Sequence, residues 1–456
     1  MHKICLKRAA VALCFLLCVF AAYAQKYTVT GGKGTPLLAV DNNTGMASSK
    51  LQVYLVYGMD NVEIRYTPVS GSYKWYRFKD KALNREEIPS KEEGGVTVVS
   101  GLEEGYGYYV QEGDAVGNVT GYVWIIDYSK YAFDITSLYV DAGRSGCGNM
   151  YLGGEAEMED MKYCNPSTGY SVTLKREFEV TYETMKKNSD ESSYVEETVT
   201  ETINNPFKDP LPAPLCDTEV TLKGDLFARH FGVEKTMTTD EYQAVAVEAA
   251  IKVDTLLYTE SLNMKVNGDS LSAPVEFNFK AVANTPVAAL FRWSIYRKDD
   301  TDDASEATKL IESNEEEVNY LFERNGTYTI YLTVSDRTSA CTWETDSPVT
   351  ITISDSYIDV PNAFSPGTTP GVNDEFRVVY RSLTNFKCWI FNRWGAQMYY
   401  WTDPSQGWDG KKDGKYVAPG AYFYVIEATG SNGKTIKKKG SINILRSKEI
   451  QDEVVE

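Results

Sequence analysis

The stretch "YLFERNGTYTIYLTVSD", Tyr320 to Asp336, decides the fold class. From Gly326 onward it alternates. Tyr328, Ile330, Leu332 and Val334 point one way, and Thr327, Thr329, Tyr331 and Thr333 point the other, which is the period of a half-buried strand. Asn325-Gly326 supplies the turn before it. Similar runs, "KLQVYLVYG" and "GYVWIIDYSKY", recur along the chain between turn clusters and draw on an unusual 32 tyrosines. Tyr, Thr and Val favour pleated, half-buried surfaces. Long helical patterns are nearly absent. The one contender, "TTDEYQAVAVEAAIKV" (Thr238–Val253), also alternates through Val245, Val247, Ala249, Ile251 and Val253, and is read as strand. The expected fold is all-β.

A spacing repeats inside this pattern. Trp75, Trp293 and Trp389 are followed 34, 35 and 33 residues later by Tyr109, Tyr328 and Tyr422, each with Gly two positions earlier. An immunoglobulin-like sandwich sets a Trp on its third strand and a Tyr at the corner entering its sixth, so serial sandwiches are expected. At 456 residues the chain exceeds one core. The units read as 25–140, 141–266 (no Trp, three cysteines), 267–357 and 358–446, with a charged tail at 447–456.

The N-terminus reads as an export signal over residues 1–24. Lys3, Lys7 and Arg8 precede the apolar "AAVALCFLLCVFAAYA", and Ala22-Tyr23-Ala24 fits a cleavage site. Leu17 before Cys18 argues against lipidation there. No other run is long and apolar enough to be expected to span a bilayer. Without the signal, 43 basic and 64 acidic side chains remain, a net charge of about −21 that opposes nucleic-acid binding. An exported chain is free to form disulfides. One bridge is expected among Cys147, Cys164 and Cys216, while Cys388, beside Trp389, is expected to be a buried free thiol.

The last unit carries an ordered set of motifs: "VPNAFSPG", "NDEFRV", "IFNRWG", "WDG", "PGAYFYVIEA" and "KKGSINILR". Their order and C-terminal position closely resemble the gliding-motility-associated C-terminal domain, the type B sorting domain of the Bacteroidetes type IX secretion system. The resemblance implies a small β-sandwich recognised by the outer-membrane translocon, often with a PorP/SprF-like partner. Asn392, Arg393, Trp394, Gly395, Trp408, Asp409, Gly410, Pro419, Gly420 and Tyr422 match its motif positions. Gly395 and Gly410 suit turns. Trp394 and Trp408 are expected to fill the core, and Arg393 to stack on an aromatic ring or pair with Asp409. The loop "SPGTTPGVNDEF" keeps Asn373 and Asp374 but lacks the earlier carboxylate of the family's calcium-like loop, so no metal is expected. The third unit resembles the PKD-like immunoglobulin domains that often precede such a domain, through Trp293, Tyr320, Phe322, Gly326, Tyr328, Leu332, Val334 and Asp336.

Catalytic signals are sparse. After the signal, His230 is the single histidine, with no nucleophile elbow, phosphate loop or dinucleotide fingerprint. No cofactor is expected. The acidic run "KDDTDDASE" (298–306) lacks an EF-hand pattern and reads as a solvated loop. The leading expectation is a non-enzymatic, exported cell-surface or secreted protein, adhesin-like or structural, with a surface glycan or protein ligand. The alternative is a glycan-binding or glycan-hydrolysing protein using residues 25–266. An exposed platform of Tyr76, Tyr106 or Tyr108 beside carboxylates would favour it.

Overall fold

A computed structural model describes residues 27–42, 50–114, 119–258, 270–298, 306–368 and 370–446. The signal segment, the acidic run at 299–305 and the tail lie outside them. Among the described residues the fold is all-β: serial sandwiches with one six-residue α-helix, Leu226–Phe231, and one 3-10 turn, Tyr128–Lys130. None of their helices is long and apolar enough to cross a membrane.

The strand Gly326–Asp336 alternates as its sequence requires, with Tyr328, Ile330, Leu332 and Val334 buried. It lies centrally in its sheet, between Val349–Ile353 and Ala288–Lys298. The opposing sheet consists of Ala249–Tyr258, Val275–Ala283 and Glu317–Phe322. Between them Trp293 is fully buried and donates its indole N–H to the Glu315 carbonyl at 3.0 Å. Tyr328 donates to the Arg324 carbonyl at 2.8 Å, four residues back, which makes the tyrosine corner of an immunoglobulin-like sandwich. Ala249–Tyr258 belongs to this third sandwich rather than the second, so the expected boundary at 266 moves back ahead of Ala249. Of the run expected as strand, Ala249, Ile251 and Val253 pair with Val275–Ala283, while Val245 and Val247 lie in the irregular segment before it.

In the first unit a four-stranded sheet (Tyr27–Thr30, Glu63–Tyr66, Val96–Ser100, Lys91–Glu93) faces a six-stranded one. The tyrosine corner here is Tyr108, whose hydroxyl donates to the Glu103 carbonyl at 3.1 Å, and not Tyr109. Successive strand residues face opposite ways. Tyr108 therefore joins Trp75 in the core between the sheets, while Tyr109 joins the other face.

That other face is also buried. Leu51–Val56, Gly107–Glu112 and Tyr122–Asp127 are buried at every position. Their second side packs against Met161, Leu174 and Ala228 of the second unit. A strand covered on both faces is expected to read as a continuous apolar run, as "YVWIID" does. The contact is pinned by a buried polar cluster in which Asp225 accepts from Tyr128 Oη (2.7 Å), Arg176 (3.1 Å) and the Ala228 amide (2.8 Å). The last bond caps the short helix, a feature sequence periodicity did not disclose.

The second unit is built on the sheet Tyr194–Ile203, Phe178–Lys187, Thr221–Gly224 and Lys235–Thr238. Phe133, Phe178, Tyr182 and Leu222 fill its core in place of a tryptophan, and Asp134–Val140 pairs with Leu152–Glu157, so the expected boundary at 140 moves back ahead of Phe133. The expected bridge within this unit is corrected. Cys147 joins Cys341 of the third unit, 194 residues away, with Cα atoms 5.4 Å apart, and Cys164 and Cys216 are free. The reason is placement. Cys164 ends a strand packed on the first unit's core, and Cys216 is buried elsewhere in the second unit, whereas the Cys147 loop meets the Asp336–Cys341 turn. Asp336 shapes that turn by accepting from the amides of Thr338 (2.9 Å) and Cys341 (2.8 Å).

Candidate docking surface on the C-terminal sandwich

The fourth unit pairs a five-stranded sheet with the short Tyr357–Asp359/Val379–Arg381 ladder. The sheet order is Ala363–Phe364, Thr435–Ile444, Gly420–Gly430, Leu383–Phe391, Gln397–Trp401. Its core holds Cys388, Ile390, Trp401, Trp408, Tyr422, Ile426 and Ile442. Tyr422 repeats the corner of the third unit, donating to the Ala418 carbonyl at 2.9 Å, again four residues back. The strand registers show which residue takes the place of Trp293. Trp293 pairs with Leu332, four beyond its corner tyrosine, and Cys388 pairs with Ile426, four beyond Tyr422. The core position is thus Cys388, buried and unbridged, its thiol pKa pushed up by burial. Trp389, the residue picked out by spacing, is one position off and half-exposed.

Trp408 is the largest fully buried side chain of this core. It lies 5.4 Å from the Tyr422 ring and 5.7 Å from the Phe364 ring, and its indole donates to the Lys411 carbonyl at 2.8 Å. Asp409 accepts from the Lys411 amide at 3.0 Å and pairs with its ammonium at 3.2 Å. Gly410 turns the chain at φ +77°, and a Cβ there would come 2.9 Å from Pro366. Pro419 precedes Gly420, which opens the corner strand at φ +138°. Asp374 accepts from the amides of Gly367 (3.0 Å) and Gly371 (2.5 Å), closing the loop that precedes Phe376.

The Asn392–Gly395 turn differs from expectation. Asn392 Oδ1 accepts from the Trp394 and Ala396 amides at 3.0 and 2.9 Å, and Gly395 takes φ +81°. This Asx-type closure leaves the Arg393 and Trp394 side chains outside. Trp394 is 76% exposed, so it is not a core residue. Of the two roles expected for Arg393, it takes the stacking one, with its guanidinium 4.2 Å from the Trp394 ring centroid, while Asp409 is held by Lys411. The motif set therefore divides: Trp408, Gly410 and Tyr422 build the fold, and Arg393 and Trp394 form a stacked pair at the end of the sheet.

The same sheet also has an outward face, which ends at the strands joined by that turn. Tyr400, Trp389, Val425 and Lys439 lie in one cross-strand row, and Phe391, Phe423 and Ser441 in the next. The Trp389 and Tyr400 rings stand 5.3 Å apart. Phe423 is 46% and Tyr400 41% exposed. Sequence reasoning missed this face because it assigned Trp389 inward. The alternation of buried Cys388 and Ile390 around it was the available signal.

At the boundary with the third unit, buried serines interlock. The Ser382 amide donates to Ser272 Oγ (2.8 Å), Ser382 Oγ accepts from the Ala273 amide (3.2 Å) and meets Ser354 Oγ (3.1 Å), and Ser431 Oγ donates to the Ser354 carbonyl (3.3 Å). The junction is more closely joined than independently docked cores require.

Of the residues weighed for other chemistry, His230 is exposed, with Nε2 2.8 Å from the Thr35 carbonyl. Tyr76 and Tyr108 are buried, and Tyr106 lies beneath Arg77 and Lys79, so these three form no exposed platform. Among the described residues no three His, Cys, Asp or Glu side chains are grouped to hold a metal ion.

Residues 139–239 match a fibronectin type III domain family, Fn3_FA, a likeness the sequence reading did not identify. No curated protein matches the chain. Similar solved structures include the tetra-tandem repeat in the extending region of a large adhesion protein (12% identity, 87% of this chain and 99% of that one, TM-score 0.20). Others are the FN1–FN3 domains of chicken CNTN1 (9% identity, 68% and 97%, TM-score 0.23) and dimeric latent PorU from Porphyromonas gingivalis (12% identity, 72% and 35%, TM-score 0.15). Residues 358–444 match the CHU_C Type IX secretion signal domain, and that match, on a sandwich behind tandem immunoglobulin-like units, points to export to the cell surface or extracellular space.

Proposed function

We propose that the chain is a non-enzymatic, exported surface or secreted protein, adhesin-like or structural. In this reading residues 358–446 form its sorting signal, read by the outer-membrane type IX translocon together with a PorP/SprF-like protein. The observation that carries it is the match of residues 358–444 to a secretion signal domain that has a core of its own. A non-catalytic role is supported by how the buried carboxylates are used. Asp225 is tied to Arg176 and Tyr128, and Glu112 accepts from Tyr66 and from the amides of Val69 and Ser70, so both serve packing. Tandem sandwiches with a disulfide across a junction suit a load-bearing or displaying role outside the cell. The test is to locate the protein in translocon-proficient and translocon-deficient cells. Surface or medium delivery only in the former is expected, and equal delivery in both would overturn the reading.

A further inference from the structure

The outward face of the C-terminal five-stranded sheet has an apolar centre and a basic border. Trp389, Tyr400, Phe423 and Val425 form the centre. Lys439 ends their row, and the Lys387–Glu427–Lys437 row lies beside it on the same face, with a Lys437–Glu427 ion pair of 2.9 Å. At the other end stands the Arg393–Trp394 pair. Exposed aromatics and arginine are what interface centres are enriched in, and contiguous apolar patches on soluble domains mark interaction sites.

The charge of this unit is opposite to that of the rest of the chain. Residues 358–446 carry twelve Lys/Arg against seven Asp/Glu, a net of +5 in a chain whose net is −18. In the rows of the face Glu427 is the one carboxylate, against Lys387, Lys437 and Lys439. Electrostatic complementarity then favours an acidic partner.

Resting on the sorting reading above, we propose that this face is the surface by which the domain is recognised. Its partner is an export-machinery protein offering an apolar patch bordered by carboxylates. A signal must be legible from outside a folded domain. This face, with the exposed motif pair Arg393 and Trp394 at its end, lies in the unit that matches a secretion signal. The buried motif residues Trp408 and Tyr422 act by holding the sheet in shape.

The experiment uses the full chain in a host with a working translocon. The variants are Trp389→Ser/Phe423→Ser, Lys387→Glu/Lys439→Glu, and a control on a different sheet, Tyr357→Ser. Hydrogen exchange of the Leu383–Phe391 and Gly420–Gly430 segments in each variant verifies folding. Folded face variants are expected to lose at least tenfold in surface delivery and to accumulate in the periplasm, with the control unchanged. Wild-type-like delivery of both folded face variants overturns the proposal, as does an equal loss in the control. A face pair that fails to fold is replaced by its single substitutions, read the same way.

Purified full chain is also tested by sedimentation, and by binding to anionic phosphatidylglycerol vesicles. Self-association or vesicle binding abolished by the face variants, with their delivery intact, would assign the face to a second copy or to lipid instead. If the wild-type chain reaches the surface of translocon-deficient cells, the sorting reading itself fails. Loss of delivery in face variants alone cannot produce that result, so the two failures are distinguishable.

Discussion

Replacing Trp408 by Ala should strongly destabilise the C-terminal sandwich, while replacing Trp394 should leave its stability nearly unchanged. Trp408 is fully buried among Phe364, Tyr399 and Tyr422. A buried tryptophan removes about 150–250 Å² from water, worth about 4–6 kcal/mol at ~25 cal/mol per Å². Measured Trp-to-Ala losses in cores run about 3–5 kcal/mol because the site partly collapses. The Lys411 carbonyl also loses its donor, so about 4 kcal/mol is a fair centre. At about 0.05–0.15 kcal/mol per residue, such a domain holds only about 4–13 kcal/mol in total. A loss of this size lowers the folding equilibrium by about three decades. Trp394 is largely exposed, and surface substitutions of that kind stay within about 0.5 kcal/mol. Hydrogen exchange on the full chain separates the cases. Protection in Leu383–Phe391 and Gly420–Gly430 should fall about a thousandfold in Trp408→Ala and less than threefold in Trp394→Ala, with Gly326–Asp336 unchanged in both. Equal losses in the two variants, or none in Trp408→Ala, would refute the reasoning.

Peptide mapping without reduction should recover a Cys147–Cys341 bridge. Alkylation of the native chain should spare Cys388 until denaturant is added, since the thiol is buried and its pKa raised. Arg176→Ala should destabilise the joined first and second units by about 3–5 kcal/mol, because it strands a fully buried Asp225; thermal unfolding measures this. Deleting residues 358–456 should leave 27–357 folded on its own cores but speed exchange at the Ala273 amide, whose acceptor, Ser382 Oγ on the fourth unit, is lost. Burial pushes Tyr54, Tyr66, Tyr108, Tyr182 and Tyr328 up to about 12. Since an unfolded tyrosine ionises near 10, the stability these groups contribute is complete below that pH and is lost as pH rises towards 12. Ultraviolet titration should therefore show a late-ionising class coincident with unfolding.

The fold class was legible because strand alternation is local, and Gly326–Asp336 carries it without help from the rest of the chain. Spacing located the tyrosine corners at Tyr328 and Tyr422, where each hydroxyl reaches the carbonyl four residues back. It failed by one residue at Tyr109 and at Trp389, and one residue in a strand changes the face. In Gly107–Glu112 both faces are buried, so burial pattern could not arbitrate. In Leu383–Phe391 the core position holds a cysteine, and the conspicuous tryptophan drew the assignment to the wrong side. The disulfide was not legible because pairing depends on which loops meet across a junction, a long-range property that cysteine order does not encode.

The same reasoning separates the two roles within the C-terminal motif set. A turn such as Asn392–Gly395 is specified locally, by an Asx side chain and a glycine at positive φ, so its sequence predicts its backbone but not the direction of the intervening side chains. Two adjacent residues closed over by Asn392 have no room in the sandwich interior, and Arg393 and Trp394 accordingly stack on each other outside it. Trp408, by contrast, is bridged in register to Phe376 on the strand-like segment beneath it, with paired amide–carbonyl bonds of 2.8 and 3.0 Å that turn its ring inward. Within the motif set, Trp408 is thus held inward by a paired backbone, whereas Arg393 and Trp394 are held outside by a turn closed upon itself.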